Sequence, residues 1–111
     1  HGHAAGDRVL KSLSQMLTRR LRPTDIVGRY GGEEFGVIFP HTTGEDAFHM
    51  MDELRENFSR VRHRLGEVEF SVTFSCGIAS YPQYPIEKFS SIADQALYNA
   101  KNKGRNRVEL I

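Results

Sequence analysis

The sequence predicts an α/β (α+β) sandwich, a mostly antiparallel central sheet flanked by helices. Three observations predict it. Apolar residues recur at helical spacing in three separate segments. Between them lie short extended runs, two of which meet across Gly31-Gly32. The order along the chain is then helix, two strands, helix, strand, helix, strand.

The first helical segment carries Val9, Leu10, Leu13, Met16, Leu17 and Leu21, with Asp7 where an N-cap would sit and Pro23 as the stop. Ile26-Val27 and Phe35 to Phe39 flank the glycine pair as a β-hairpin. Thr42-Thr43-Gly44-Glu45 has the spacing of a capping box. It opens a helix whose apolar stripe is Ala47, Met51, Leu54, Phe58, Val61 and Leu65, with Arg60, Arg62 and Arg64 as its solvated end. From Val68 to Ile78 apolar residues alternate through Phe70, Val72, Phe74 and Cys76, predicting one long half-buried strand. Tyr81 to Pro85 reads as a loop. A last helix near Ile86 to Asn102 turns Phe89, Ile92, Ala93, Ala96, Leu97 and Ala100 inward, with Gly104 at C′ and a short strand in Arg107 to Ile111.

Composition narrows the function classes. A net charge of +1 gives no basic arm for nucleic acid and no patch for direct membrane contact. The single cysteine, Cys76, forbids an internal disulfide framework, suits a reducing compartment, and lies in the apolar register of a strand. No apolar run reaches membrane-spanning length and no signal peptide is visible, so the expectation is a cytoplasmic domain, 1–111, of one unit.

The most informative stretch is Arg29-Tyr30-Gly31-Gly32-Glu33-Glu34-Phe35-Gly36. Two glycines let the backbone turn tightly and admit a ligand where a Cβ would stand. Adjacent strand side chains face opposite sides, so Glu33 and Glu34 diverge unless the turn breaks the alternation. A carboxylate at such a turn can ligate Mg²⁺, which prefers oxygen and bridges to phosphates; glycine and charge alone are equally those of an ordinary hairpin tip. Other residues have plain structural readings on residue type alone. Asp7 is a helix cap. Lys101, Lys103, Arg105 and Arg107 cluster at a helix C-terminus, where cations offset the dipole. Arg22 closes a helix before Pro23, with Asp25 in a turn.

Gly31-Gly32-Glu33-Glu34-Phe35 matches the signature pentapeptide of the GGDEF family of diguanylate cyclases in its GGEEF form. Gly2-His3-Ala4-Ala5-Gly6-Asp7 resembles the family's G-H-x-x-G-D segment. Arg22-Pro23-Thr24-Asp25 resembles its R-x-x-D motif, with five residues before Gly31. Phe74 to Ala79 resembles its S-x-G-[IV]-A strand. Asp94 to Lys101 followed by Gly104-Arg105-Asn106 resembles its A-D-x-A-L-Y-x-A-K-x-x-G-R-N ending. The family's D-x-D-x-F-K-x-x-N-D strand, which supplies a metal-binding aspartate and a guanine-contacting asparagine, would precede Gly2. The expectation is therefore an N-terminally truncated domain from a longer protein.

The resemblance implies a palm-like nucleotidyl-cyclase fold and the condensation of two GTP into cyclic di-GMP with release of pyrophosphate. It makes Glu33 the metal ligand for Mg²⁺ (or Mn²⁺), with Glu34 supporting the site and Gly31 and Gly32 leaving room for phosphates. Asp7 would meet the guanine edge, and Lys101 and Arg105 the terminal phosphates. Arg22 and Asp25 would bind cyclic di-GMP as an inhibitor. Because each domain holds one GTP, the partner for catalysis is a second copy in a homodimer. The isolated chain is expected to bind nucleotide or cyclic di-GMP without turnover. The rival readings are a non-catalytic cyclic di-GMP receptor and a cyclase acting on ATP or on one GTP. Of the five histidines, His1 and His3 lie two apart without a third metal ligand, and all five read as structural or solvated. Tyr98 and Phe35 read as core residues.

Overall fold

The computed structural model describes residues 2–31 and 34–111, with the side chains of 5–26 and 34–111. The chain resolves into two compact units, 1–41 with 60–72, and 42–59 with 73–111.

In the first unit α1 spans Gly2–Arg20, with Ala5 and Leu17 buried. Asp7 lies well inside this helix and is exposed, so it is not the N-cap. Burying Ala5 anchors a turn that the glycines alone would weaken, and the helix starts before the predicted cap. The helix stops at Arg20, and Leu21 N–H closes a last bond to the Leu17 carbonyl before Pro23.

The hairpin forms as expected. β1 (Ile26–Gly31) pairs antiparallel with β2 (Glu34–Ile38), Ile26 opposite Ile38 and Gly28 opposite Gly36. The register shifts between Arg29 and Gly31, so Tyr30 is the extra residue of a bulge. Along β2 exposure alternates, with Phe35 and Val37 half-covered on one face and Glu34 and Ile38 exposed on the other.

Residues 60–72 overturn two expectations. The second helix ends at Ser59, whose Oγ donates to the Glu56 carbonyl and so competes with the helical ladder. Beyond it β3 (His63–Leu65) pairs antiparallel with β4 (Val68–Phe70). Gly66 takes φ +62° at the first of two connecting residues, the glycine position of a tight hairpin. His63 is buried with its ring 5.5 Å from that of Phe70, its cross-strand partner. Arg62 and Arg64 are therefore not a helix end; both reach Glu69, at 3.2 and 3.7 Å.

In the second unit α2 (Gly44–Ser59) buries Ala47, Met51, Leu54 and Phe58, the predicted stripe. Its cap is Thr43, one residue later than the sequence spacing suggested: Thr43 Oγ1 accepts the Asp46 N–H at 3.0 Å. β5 (Cys76–Ile78) pairs in parallel with β6 (Val108–Leu110), and the crossover between them is a 3₁₀ turn (Ile86–Lys88) leading into α3 (Phe89–Asn102). The predicted long strand thus divides into β4 and β5, with 71–75 in neither. Both α2 and α3 pack on the β5–β6 pair, Phe58 meeting Phe74 at 5.9 Å between ring centres. Gly77 permits the closest approach: a Cβ there would stand 2.2 Å from Leu97 N and 2.4 Å from Ala93 O. Ala96 and Ala100 are fully buried on α3, whereas Tyr98 is 61% exposed and so not a core residue. It sits two positions from both buried alanines, on the helix's other face. Among the described residues the strands form three two-stranded pairings, two of them antiparallel. No helix among them is long and apolar enough to cross a membrane.

Candidate functional site

The site residues predicted from sequence fall in both units. In the first, Gly31 ends β1 and pairs with Glu34 at the start of β2. Gly32 and Glu33 lie outside the described residues. The bulge at Tyr30 breaks the strict alternation of β1 just ahead of the glycines, and Glu34 presents its carboxylate on the exposed face of β2. Asp7 is exposed on α1.

Arg22 and Asp25 are brought together by the chain between them. Asp25 N–H donates to the Arg22 carbonyl at 3.0 Å, closing a turn with Pro23 at its second position, where proline's fixed φ suits the geometry. Inside that turn the Arg22 backbone N–H donates to Asp25 Oδ2 at 2.9 Å, Nη2 to Oδ1 at 2.9 Å, and Nε to Oδ2 at 3.3 Å. Nη2 also donates to the Pro40 carbonyl at 3.1 Å, tying the turn to the end of the hairpin. The Asp25 side chain is completely covered while Arg22 stays 46% exposed. These bonds hold the Asp25 carboxyl below the usual carboxylate range, chiefly through the side-chain hydrogen bond from Arg22. The same bond keeps the Arg22 guanidinium more firmly protonated. The pair holds a half-exposed guanidinium in a fixed orientation, a group suited to planar or anionic ligands. The Pro40 carbonyl was not legible as a member of this group, because only the folded hairpin brings it to Arg22.

In the second unit Lys101 is exposed in the last turn of α3. The helix ends in a Schellman motif: Arg105 N–H donates to the Ala100 carbonyl at 2.9 Å and Gly104 N–H to that of Lys101 at 3.4 Å. Gly104 has φ +116°, as its C′ position requires. Arg105 and Asn106 then continue with φ +64° and +45°, two consecutive non-glycine residues in the left-handed region. The motif thus joins Lys101 and Arg105 through one short backbone segment. Sequence reasoning missed Arg55, whose Nη1 donates to Asn106 Oδ1 at 2.8 Å.

Among the described residues no three His, Cys, Asp or Glu side chains cluster as a metal cage. Of the signature's carboxylates only Glu34 is described; it is exposed, and a carboxylate oxygen is the donor type that a magnesium ion keeping its waters takes one or two of.

Comparison with known proteins gives a consistent picture. The sequence profile described as diguanylate cyclase, GGDEF domain, matches residues 1–107. Diguanylate cyclase DgcP of Pseudomonas aeruginosa is 39% identical over 110 residues, which cover 98% of this chain and 16% of that protein. The GGDEF domain of DgcB from Caulobacter crescentus, solved in complex with c-di-GMP, superposes with a TM-score of 0.90 at 32% identity, over 98% of this chain and 66% of that one. The active GGEEF domain of a diguanylate cyclase from Vibrio cholerae gives 0.85 at 33% identity, over 98% and 70%. The chain spans between 16% and 31% of the length of the first curated relatives it matches. These neighbours support the mixed α+β fold that the element order predicts and the palm-like form that the resemblance implies.

Proposed function

The chain belongs to the GGDEF family of diguanylate cyclase domains, and from that premise we propose that it takes part in condensing two GTP into cyclic di-GMP. The observation that carries this reading is the unaltered Gly31–Phe35 signature at the join of an antiparallel hairpin, with a bulge placed just before it. Glu33, assisted by Glu34, would hold Mg²⁺ or Mn²⁺, and the glycines would leave the phosphates room. Bound there, the metal would acidify the attacking hydroxyl and screen charge on the leaving pyrophosphate. Lys101 and Arg105 would grip the terminal phosphates as charged donors, and Asp7 would accept N–H donors of the guanine edge. In the reaction the 3′-oxygen of each GTP bonds to the α-phosphorus of the other, the bond from that phosphorus to pyrophosphate breaks, and the hydroxyl proton leaves to solvent. Two GTP must face each other, so a second copy of the domain supplies the other half.

A second reading, binding of cyclic di-GMP without turnover, is favoured by one specific feature: the Arg22–Asp25 pair, a covered carboxylate holding a half-exposed guanidinium within one turn. In the first reading the same pair would serve as a product-inhibition site. Incubation of the longer protein expected to carry this domain with GTP and Mg²⁺, followed by chromatographic analysis of products, separates the two. Cyclic di-GMP and pyrophosphate are expected from a cyclase. Absence of product, with calorimetric binding of cyclic di-GMP that Arg22→Ala abolishes, would select the receptor reading. Absence of both would sink each.

A further inference from the structure

The phosphate-binding reading leaves a question that the second unit answers in its own geometry: what holds Arg105 in place. Two successive non-glycine residues at φ +64° and +45° are unfavourable, and such backbone persists only where its surroundings over-determine it. The Schellman hydrogen bonds fix the first of the two, since Arg105 N–H is held by the Ala100 carbonyl. The second is fixed from a different element. Arg55 of α2 donates Nη1 to Asn106 Oδ1 at 2.8 Å, while its Nε is held by Asp52 Oδ1 at 2.9 Å. The Arg55 side chain is only 17% exposed, so water competes little for its guanidinium. An asparagine tolerates the left-handed conformation better than most residues, and its carbonyl is the acceptor Arg55 uses.

We infer that Arg55, oriented by Asp52, is a positioning residue: by locking Asn106 it fixes the backbone from which Arg105 reaches a nucleotide's terminal phosphates. The inference rests on the phosphate-binding role proposed for Arg105. Arg55 itself touches no substrate and acts through that backbone. Without it, the strained pair relaxes toward ordinary φ and the Arg105 side chain leaves from a different direction.

The test measures Kd for GTP and for guanosine, both with Mg²⁺, in the wild-type chain, Arg55→Ala, Arg105→Ala and the double variant, with thermal midpoints recorded for each. Arg55→Ala is expected to weaken GTP about tenfold, within the range of coupled neighbouring residues, and to leave guanosine unchanged. In the Arg105→Ala background Arg55→Ala should cost nothing further, because its effect passes through Arg105. Should Arg55→Ala fail to fold, Asn106→Gly deletes the acceptor, keeps the left-handed backbone accessible, and carries the same comparison. Wild-type GTP affinity in Arg55→Ala with a weakened Arg105→Ala overturns the positioning role alone. Equal losses from Arg55→Ala in both backgrounds, or a matching loss of guanosine, also overturn it and leave a general structural role. Wild-type affinity in Arg105→Ala, or no GTP binding by the wild-type chain, overturns the phosphate reading and the inference together.

Discussion

Replacing Gly77 by alanine should strain the second unit more than any surface substitution in it. A Cβ at this position would lie 2.2 Å from Leu97 N, 2.4 Å from Ala93 O and 2.8 Å from Ala96 C, where ordinary contact begins near 3.4 Å. All three are backbone atoms of α3, which cannot swing aside as a flexible side chain would. The helix must therefore retreat by roughly 1 Å, loosening contacts along its length. Those contacts include Ala96 and Ala100, both with no exposed surface. Overpacking costs about 1–3 kcal/mol, and a rigid neighbour puts Gly77→Ala at the upper end, about 3 kcal/mol. That is a large share of the roughly 5–15 kcal/mol that stabilises a typical domain. Urea unfolding followed by far-ultraviolet circular dichroism reads it directly: with m near 1.5–2 kcal/mol/M the midpoint should fall by about 1.5–2 M. A midpoint within about 0.3 M of wild type would refute the claim that glycine is required for this helix-to-strand approach. Because α3 carries Lys101 and leads to Arg105, the folded fraction should also show weakened GTP binding.

Other outcomes follow from single features. Thr43→Ala should cost about 1 kcal/mol and Thr43→Gly only a few tenths, since glycine suits the cap backbone without supplying the Oγ1 acceptor; chemical denaturation distinguishes them. Asp25 has its folded-state carboxyl lowered from an ordinary value of 3.8, so its contribution is complete above that value and fades as pH falls through the lowered one. The stability gap between wild type and Asp25→Asn should therefore be flat from about pH 5 upward and close below pH 3.8. Burial pushes the Cys76 thiol up to about 12, so iodoacetamide at pH 8 should leave it unmodified until the protein is unfolded.

The parts of the fold legible in the sequence are those where one periodicity had no competitor. Ala47, Met51, Leu54 and Phe58 form a stripe that nothing else explains, and Ala96 and Ala100 likewise. Gly104 marks the end of α3 because few residues accept φ +116°. Where two patterns overlapped, the sequence misled. Val61 and Leu65 continue the helical stripe of α2, but α2 ends before both: a Gly66 turn and the His63–Phe70 pairing draw Leu65 into a hairpin, and Val61 lies in neither helix nor strand. Alternation from Val68 to Ile78 does not report whether a neighbour supplies a ladder, and so one predicted strand became two, with Val68 at its start left exposed. Asp7 and Thr42 both have cap chemistry, yet Asp7 lies inside α1, where Ala5 is already buried, and Thr43 Oγ1 rather than Thr42 caps α2. Of the candidate site, the R-x-x-D spacing was readable because its partners are three residues apart. The bridge from Arg55 to Asn106 spans 51 residues and leaves no local signal.

The central claim, that this chain takes up a magnesium-bound guanosine triphosphate at the Gly31–Phe35 hairpin, is tested most directly by titrating GTP into wild type and Glu33→Ala with and without Mg²⁺. Saturable binding that needs the metal and is lost in Glu33→Ala is the predicted result. Binding that is indifferent to both the metal and that glutamate would contradict the claim.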